Sequence, residues 1–386
     1  MIKIVLRKNL FYLLALYISS YVRKIIMLII DKVFQFNDPY AFLFMMTFGQ
    51  IIGGFTIYIY LYINSKKKKK AKYFGIELIQ NKRYKGTIDG KFKKILLIFF
   101  AGYFDFIEYI IGVFYVPKIA KISPTIDTRL GCLSTIIGAL ICAYALRFRL
   151  GKHHKFSLIA LSASLCLTII LELLYKSDET PMTNFLFAHF LICCYLMNVT
   201  FTDCTERYLV DKNFMNPFKI IMFEGIFEFI MAIGYSIRID FDPFKEIKKE
   251  YNENSTGYFI LLIFLLIVYL FCSAALNAYK VYCNVIYSPM ARSLTDYFLN
   301  PFFNIYYFIC ENDFHKNYFY FSISEVISIL MDFFCCVFNE YIILNCLGLE
   351  YDTKDAISQR AKEREDFFSD YNINDDYDEI ADDDNY

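Results

Sequence analysis

Apolar residues run along this chain in blocks of about 20, the length a helix needs to cross roughly 30 Å of hydrocarbon, and short polar stretches separate them. The blocks predict membrane spans at 10–31, 39–63, 94–117, 125–147, 154–175, 183–203, 216–237, 257–283, 291–309 and 318–346. The fold class expected is an all-α integral membrane protein with about ten transmembrane helices. Residues 1–177 would hold the first five and 178–350 the second five, leaving 351–386 as an acidic, disordered cytoplasmic tail. Arg129 opens the fourth block as Arg292 opens the ninth, five spans later, which hints at a five-plus-five inverted repeat.

Charge in the loops orients the chain. Lys66–Lys70, Lys72, Lys82, Arg83, Lys85 and Lys91 crowd one loop; Arg147, Arg149, Lys152 and Lys155 crowd another; Lys354, Arg360, Lys362 and Arg364 follow the last span. With ten spans these lie on one side, and Lys/Arg excess marks the cytoplasm. Loop 238–256 then faces the lumen. It carries Asn254-Ser255-Thr256, an acceptor triplet for N-glycosylation. Lys245, Lys248 and Lys249 in that loop run against the assignment.

Polar residues inside the blocks are costly in lipid and mark cavities, partners or ion paths. In span nine Arg292, Asp296, Asn300 and Asn304 recur every four residues, one helix face, and Pro301 interrupts the backbone. Arg292 would draw an anionic substrate group and Asp296 would hold that arginine when the site is empty. Asn277, Lys280 and Arg129 are further candidates for substrate binding. Glu224 and Glu228 in span seven, Glu325 and Asp332 in span ten, and Asp105 and Glu108 in span three are candidates for coupling to a proton or cation. Each of these has a plainer reading as a polar contact between helices. Gly49-x-x-x-Gly53 in span two is a close-packing motif. Arg23 and Lys24 fall in the middle of the first block, so either that helix breaks or the pair faces the bundle interior.

Composition narrows the function classes. Of 386 residues, 57% are hydrophobic, above the roughly 45–50% of soluble domains. Net charge is zero, with no basic footprint for nucleic acid. Most of the twelve cysteines sit within apolar blocks, without C-x-x-C or zinc spacing, and the four histidines form no ligand motif. No metal or cofactor is expected. No phosphate-binding loop or nucleophile elbow is present, so ATP-driven pumping and an enzyme are both disfavoured.

The stretch Arg129-Leu130-Gly131 to Phe148, then Lys152-His153-His154-Lys155-Phe156-Ser157-Leu158 to Glu172, together with Asn339-Glu340-Tyr341, Leu344-Asn345-Cys346-Leu347-Gly348-Leu349 and Thr353, resembles the drug/metabolite transporter superfamily, and within it divergent nucleotide-sugar-transporter-like proteins. The resemblance implies a central cavity between inverted halves. It also implies secondary transport or exchange of a small-molecule substrate across a Golgi, ER or vacuolar membrane, with a homodimer as one open arrangement. No dilysine pair fixes a nucleotide sugar. The function expected is thus a secondary transporter of a small polar or anionic metabolite; the alternative is a non-transporting scaffold or receptor-like protein of the same fold.

Overall fold

The computed structural model describes residues 2–4, 10–36, 38–66, 72–73, 76–77, 90–115, 130–145, 147–174, 181–238, 248–249, 251–252, 255–286, 304–306, 309, 318–346, 348–353 and 355–360. Eight helices among them are long and apolar enough to cross a membrane: α1 (Leu10–Lys32), α2 (Pro39–Lys66), α3 (Lys91–Tyr109), α5 (Lys152–Leu174), α6 (Met182–Asp211), α7 (Pro217–Arg238), α8 (Thr256–Ile286) and α9 (Tyr318–Phe338). α3 continues as a π turn over Ile110–Tyr115. A ninth apolar helix, α4 (Cys132–Ala145), has 14 residues, about 21 Å of rise, and the residues just before it lie outside those described. The protein is therefore multi-pass and helical. The predicted ninth span, 291–309, falls almost wholly outside the described residues.

Strand β1 (Ile2–Ile4) pairs antiparallel with β4 (Ile342–Leu344), directly after α9. The chain's beginning and the end of α9 thus share one face of the bundle, the terminal face. A second short pair, β2 (Lys72–Tyr73) with β3 (Ile76–Glu77), lies between α2 and α3.

Packing fixes the direction of every helix. Leu13 and Leu16 at the start of α1 meet Cys283 near the end of α8, and Ile30 at the other end of α1 meets Leu262 near the start of α8. Leu61 near the end of α2 packs with Phe218 at the start of α7 and with Tyr282. Ile98 near the start of α3 packs with Leu209 and Ile220, and Lys94 Nζ donates to the Asn213 carbonyl at 3.4 Å. Phe106 and Ile110 meet Leu43 and Ala232 at the opposite face. Leu130 packs on Ile192, whereas Cys142 meets Cys204 and Phe338. Tyr320 at the start of α9 lies by Leu171 at the end of α5. The ends of α2, α4, α6, α8 and α9 and the starts of α1, α3, α5 and α7 therefore share the terminal face. Arg147, Arg149, Lys152, Lys155 and Lys212 fall on that face too, as the charge pattern predicts. Loop 238–256 joins α7 to α8 on the opposite face; Asn254 itself lies outside the described residues.

Arg23 and Lys24 do not break α1, which is continuous from Leu10 to Lys32. Arg23 is half-buried and faces the phenols of Tyr109 and Tyr269 inside the bundle. Four helix ends turn through a non-glycine residue of positive φ, Gln35, Arg147, Phe214 and Glu340. The next amide in each case (Phe36, Phe148, Met215, Tyr341) bonds back into the helix.

The GxxxG motif of α2 does pack a neighbour closely. A Cβ on Gly49 would fall 2.8 Å from the Leu270 carbonyl oxygen, and one on Gly53 2.6 Å from that of Ala274. On the next face, a Cβ on Gly54 would fall 2.8 Å from the Phe218 carbonyl oxygen. α2 is thus wedged, backbone to backbone, against α8 and α7. Gly53→Ala is expected to lower stability by about 1–3 kcal/mol through forced separation of α2 and α8. Gly234→Ala, where a Cβ meets nothing within 4 Å, is expected to be neutral or up to about 1 kcal/mol stabilising. Thermal denaturation in detergent separates the two.

Candidate functional site

Five helices, α2, α3, α6, α7 and α8, bring their buried polar residues to one place. Lys280 on α8 puts its Nζ 3.4 Å from Asp105 Oδ1 on α3 and 3.8 Å from Asp203 Oδ1 on α6. One turn further along α8, Asn284 Nδ2 donates to Asp203 Oδ1 at 3.1 Å and to Glu206 Oε2 at 2.6 Å. Toward the bundle centre Gln50 Nε2 on α2 donates to Glu228 Oε1 on α7 at 3.1 Å. Glu224, one turn before Glu228, is 1% exposed, and among the described residues neither of its carboxyl oxygens has a hydrogen-bond partner. Asn277 and Ser273 extend the same face of α8 and are buried.

Geometry explains the convergence. Asn277, Lys280 and Asn284 follow at three and four residues, one stripe of a helix; Glu224 and Glu228 make the same stripe on α7. Gly102 of α3 sits against the Glu224 backbone, where a Cβ would lie 3.1 Å from its carbonyl oxygen, and Gly225 faces Ile51 of α2 at 3.0 Å. Small residues thus let the acid-bearing helices close on one another. From Asn277 to Asn284 the stripe rises about 10 Å. It runs from mid-bundle, near Gln50 and Glu228, toward the terminal face, where Arg207 Nη1 donates to the Asn284 carbonyl at 2.7 Å and pairs with Asp211. Toward the opposite face the column stops against Leu43, Phe106, Ile110 and Ala232.

The charges do not balance within the column. Asp105, Asp203, Glu206, Glu224 and Glu228 are all buried, five carboxyls that, among the described residues, gather around the one ammonium of Lys280. Glu206 and Glu228 are both close electrostatic neighbours of Glu224, and Asp105 of Glu228. Full ionisation would crowd several like charges in a region where each is worth far more than in water. Such a cluster can hold protons, bind a cation or exchange one for the other.

Of the residues singled out from the sequence, Asp105, Glu224, Glu228, Asn277 and Lys280 come together here. Glu108, one turn beyond Asp105, is half-buried. Asn304 is buried and its Nδ2 donates to Glu325 Oε1 at 2.6 Å, so the polar face of the predicted ninth span meets α9 at this point. Asp332 is half-buried on α9, two turns beyond Glu325. Arg129, Arg292, Asp296 and Asn300 lie outside the described residues. Asn284 continues the polar face of Asn277 and Lys280, whereas Asp203, Glu206 and Gln50 carry no signal in the sequence pattern that marks them as site residues. Span six was drawn to end at residue 203, whereas α6 runs to Asp211. The i,i+4 pairing of Arg207 with Asp211 was the available sign that the helix continues past its apolar part. No protein-family model matches this chain, and a search among curated proteins finds no match.

Lys280→Met is expected to destabilise the protein by about 3–5 kcal/mol, because it strips the buried acids of their counter-charge. The double variant Lys280→Met with Asp105→Asn should recover part of that loss. Melting temperatures of the purified variants, read as a double-mutant cycle, test whether the two groups are coupled.

Proposed function

We propose that the chain is a secondary transporter of a small polar or anionic metabolite, driven by protons that load and leave the Lys280 acid column. The observation that carries this reading is the excess, among the described residues, of buried carboxyls over the ammonium of Lys280, at the crossing of five helices. Alternating access presents one midplane site to each side in turn, and coupling to protons needs groups there that can gain and lose a proton. A column that shares protons among Asp105, Asp203, Glu206, Glu224 and Glu228, with Lys280 as an internal counter-ion, supplies such a site.

The architecture supports the same reading. Exchanging each helix with the one five spans later pairs α1 with α6, α2 with α7, α3 with α8 and α5 with α9. The members of each pair run in opposite directions. The six most extensive helix contacts are α2 with α7, α2 with α8, α1 with α8, α3 with α6, α5 with α9 and α3 with α7. The exchange maps this set onto itself: α1–α8 becomes α6–α3, α2–α8 becomes α7–α3, and α2–α7 and α5–α9 return themselves. The lesser contacts of α8 with α6 and α7 have no such counterpart. This contact pattern supports an inverted five-plus-five repeat. In it, Lys280 and Asp105 meet across the pseudo-two-fold, from the counterpart helices α8 and α3.

Direction also supports ten crossings. α8 ends on the terminal face and α9 begins on the opposite one, which favours one further crossing between them. One crossing there, added to the eight long helices and α4, makes ten. The basic loops of the terminal face then lie in the cytoplasm, and the drug/metabolite-transporter resemblance favours an endomembrane.

The transport reading is tested in proteoliposomes by labelled nucleotide sugars, sugar phosphates, amino acids and organic cations, with and without an imposed pH gradient. Uptake of one class should rise with the gradient, and Asp105→Asn and Glu224→Gln should each lose that stimulation while still melting cooperatively. Uptake indifferent to the gradient and to both substitutions would remove the coupling role. No uptake of any class, with no ligand shifting the melting point, would favour the scaffold alternative. For topology, an epitope inserted between residues 310 and 317 is expected to be reached from the side opposite to one placed after residue 370. Labelling both from the same side would overturn the ten-span count.

A further inference from the structure

Away from the acid column, the first turn of α5 holds two adjacent histidines, His153 and His154. Both are buried, His153 at 3% exposure and His154 at 6%. Their rings pack with centroids 3.8 Å apart. Glu340, also buried, reaches them from the tight turn that ends α9, where its φ is 59°. One ligand atom from each of His153, His154 and Glu340 lies within 4.8 Å of the other two.

We infer that His153, His154 and Glu340 form a site for a divalent transition metal of the zinc type, which ties the segment after α9 to the start of α5. His153 Nε2 lies 3.3 Å from Glu340 Oε1, yet neither ring nitrogen of His153 makes a hydrogen bond among the described residues. A buried imidazole with both nitrogens unused is rare in a folded protein. The distance also suits a metal: bonds of about 2.0–2.1 Å in a tetrahedron set neighbouring ligand atoms roughly 3.3 Å apart. Two imidazoles and one carboxylate are a familiar zinc donor set, with a fourth position left for water. The donors are held by different parts of the fold, α5 and the turn after α9. Nearby, Asp352 Oδ2 accepts the Lys152 N–H at 3.1 Å, which fixes the first turn of α5 from outside the triad. One competing interaction is the Gly151 N–H, which donates to His154 Nδ1 at 3.1 Å. A metal bound through that nitrogen replaces one backbone hydrogen bond. The site is independent of the transport reading and stands on the terminal face, at the joint where β1 and β4 also meet.

The test uses the full chain, purified in detergent, stripped with chelator and titrated with Zn²⁺ or Co²⁺. About one metal per chain should remain after gel filtration. The Co²⁺ form should show the strong visible absorption of a tetrahedral site, and Zn²⁺ should raise the melting temperature by mass action. His153→Gln and Glu340→Gln should each lower the affinity at least tenfold and abolish the Co²⁺ band. Cooperative melting without metal shows that these variants still fold; Asp352→Asn, which alters the neighbouring contact only, should retain the band. Failure of the wild-type chain to hold either metal would overturn the proposal. Binding unchanged in both His153→Gln and Glu340→Gln would overturn it equally, by placing the metal elsewhere.

Discussion

Lys280 reaches from α8 to Asp105 on α3 and Asp203 on α6, and no lipid-facing arrangement of these groups would be tolerable in hydrocarbon. Enclosing them requires α2, α3, α6, α7 and α8 to surround one column. That requirement in turn explains where the chain spends its small residues. Gly49, Gly53 and Gly54 let α2 press against α8 and α7, and Gly102 and Gly225 close the remaining gaps. Between helices that lipid solvates as well as protein does, contact of this kind supplies most of the attraction. The charged column and the glycine seams are thus two sides of one solution.

Opposite directions of counterpart helices follow from the same arrangement. Because α8 and α3 run in opposite directions side by side, Lys280 on α8 finds Asp105 on α3 in the interior of the bundle. Leu43, Phe106, Ile110 and Ala232 form an apolar cluster toward the far face, and Arg207 is engaged with Asp211 toward the terminal face. Helices α4, α5 and α9 stand to one side of the column; they carry the His153–Glu340 joint and close the terminal face with the β1–β4 pair.

Much of this was legible in the sequence because hydrocarbon thickness is a coarse ruler. Blocks of about 20 apolar residues gave eight long helices close to their predicted places, the basic loops fell together on one face, and Gly49-x-x-x-Gly53 marked a real seam. Helical periodicity alone puts Glu224 and Glu228 on a common face. It was blind where a helix outlasts its apolar stretch: α6 continues through Thr205, Glu206 and Arg207, so Glu206 was taken as loop although it is buried. His153 and His154 were missed for the same reason, since a basic turn flanks them and only the fold covers them.

The sequence by itself determined which segments enter the membrane and which face of each is polar, because both depend on local spacing and on the cost of exposing charge to lipid. Only the tertiary structure decided which polar faces meet. Asp105 and Lys280 are 175 residues apart, and Gln50 and Glu228 are 178 apart; no periodicity within a helix specifies a partner at that distance. The choice is made by backbone approach at the glycine seams and by helix direction, which are properties of the assembled bundle.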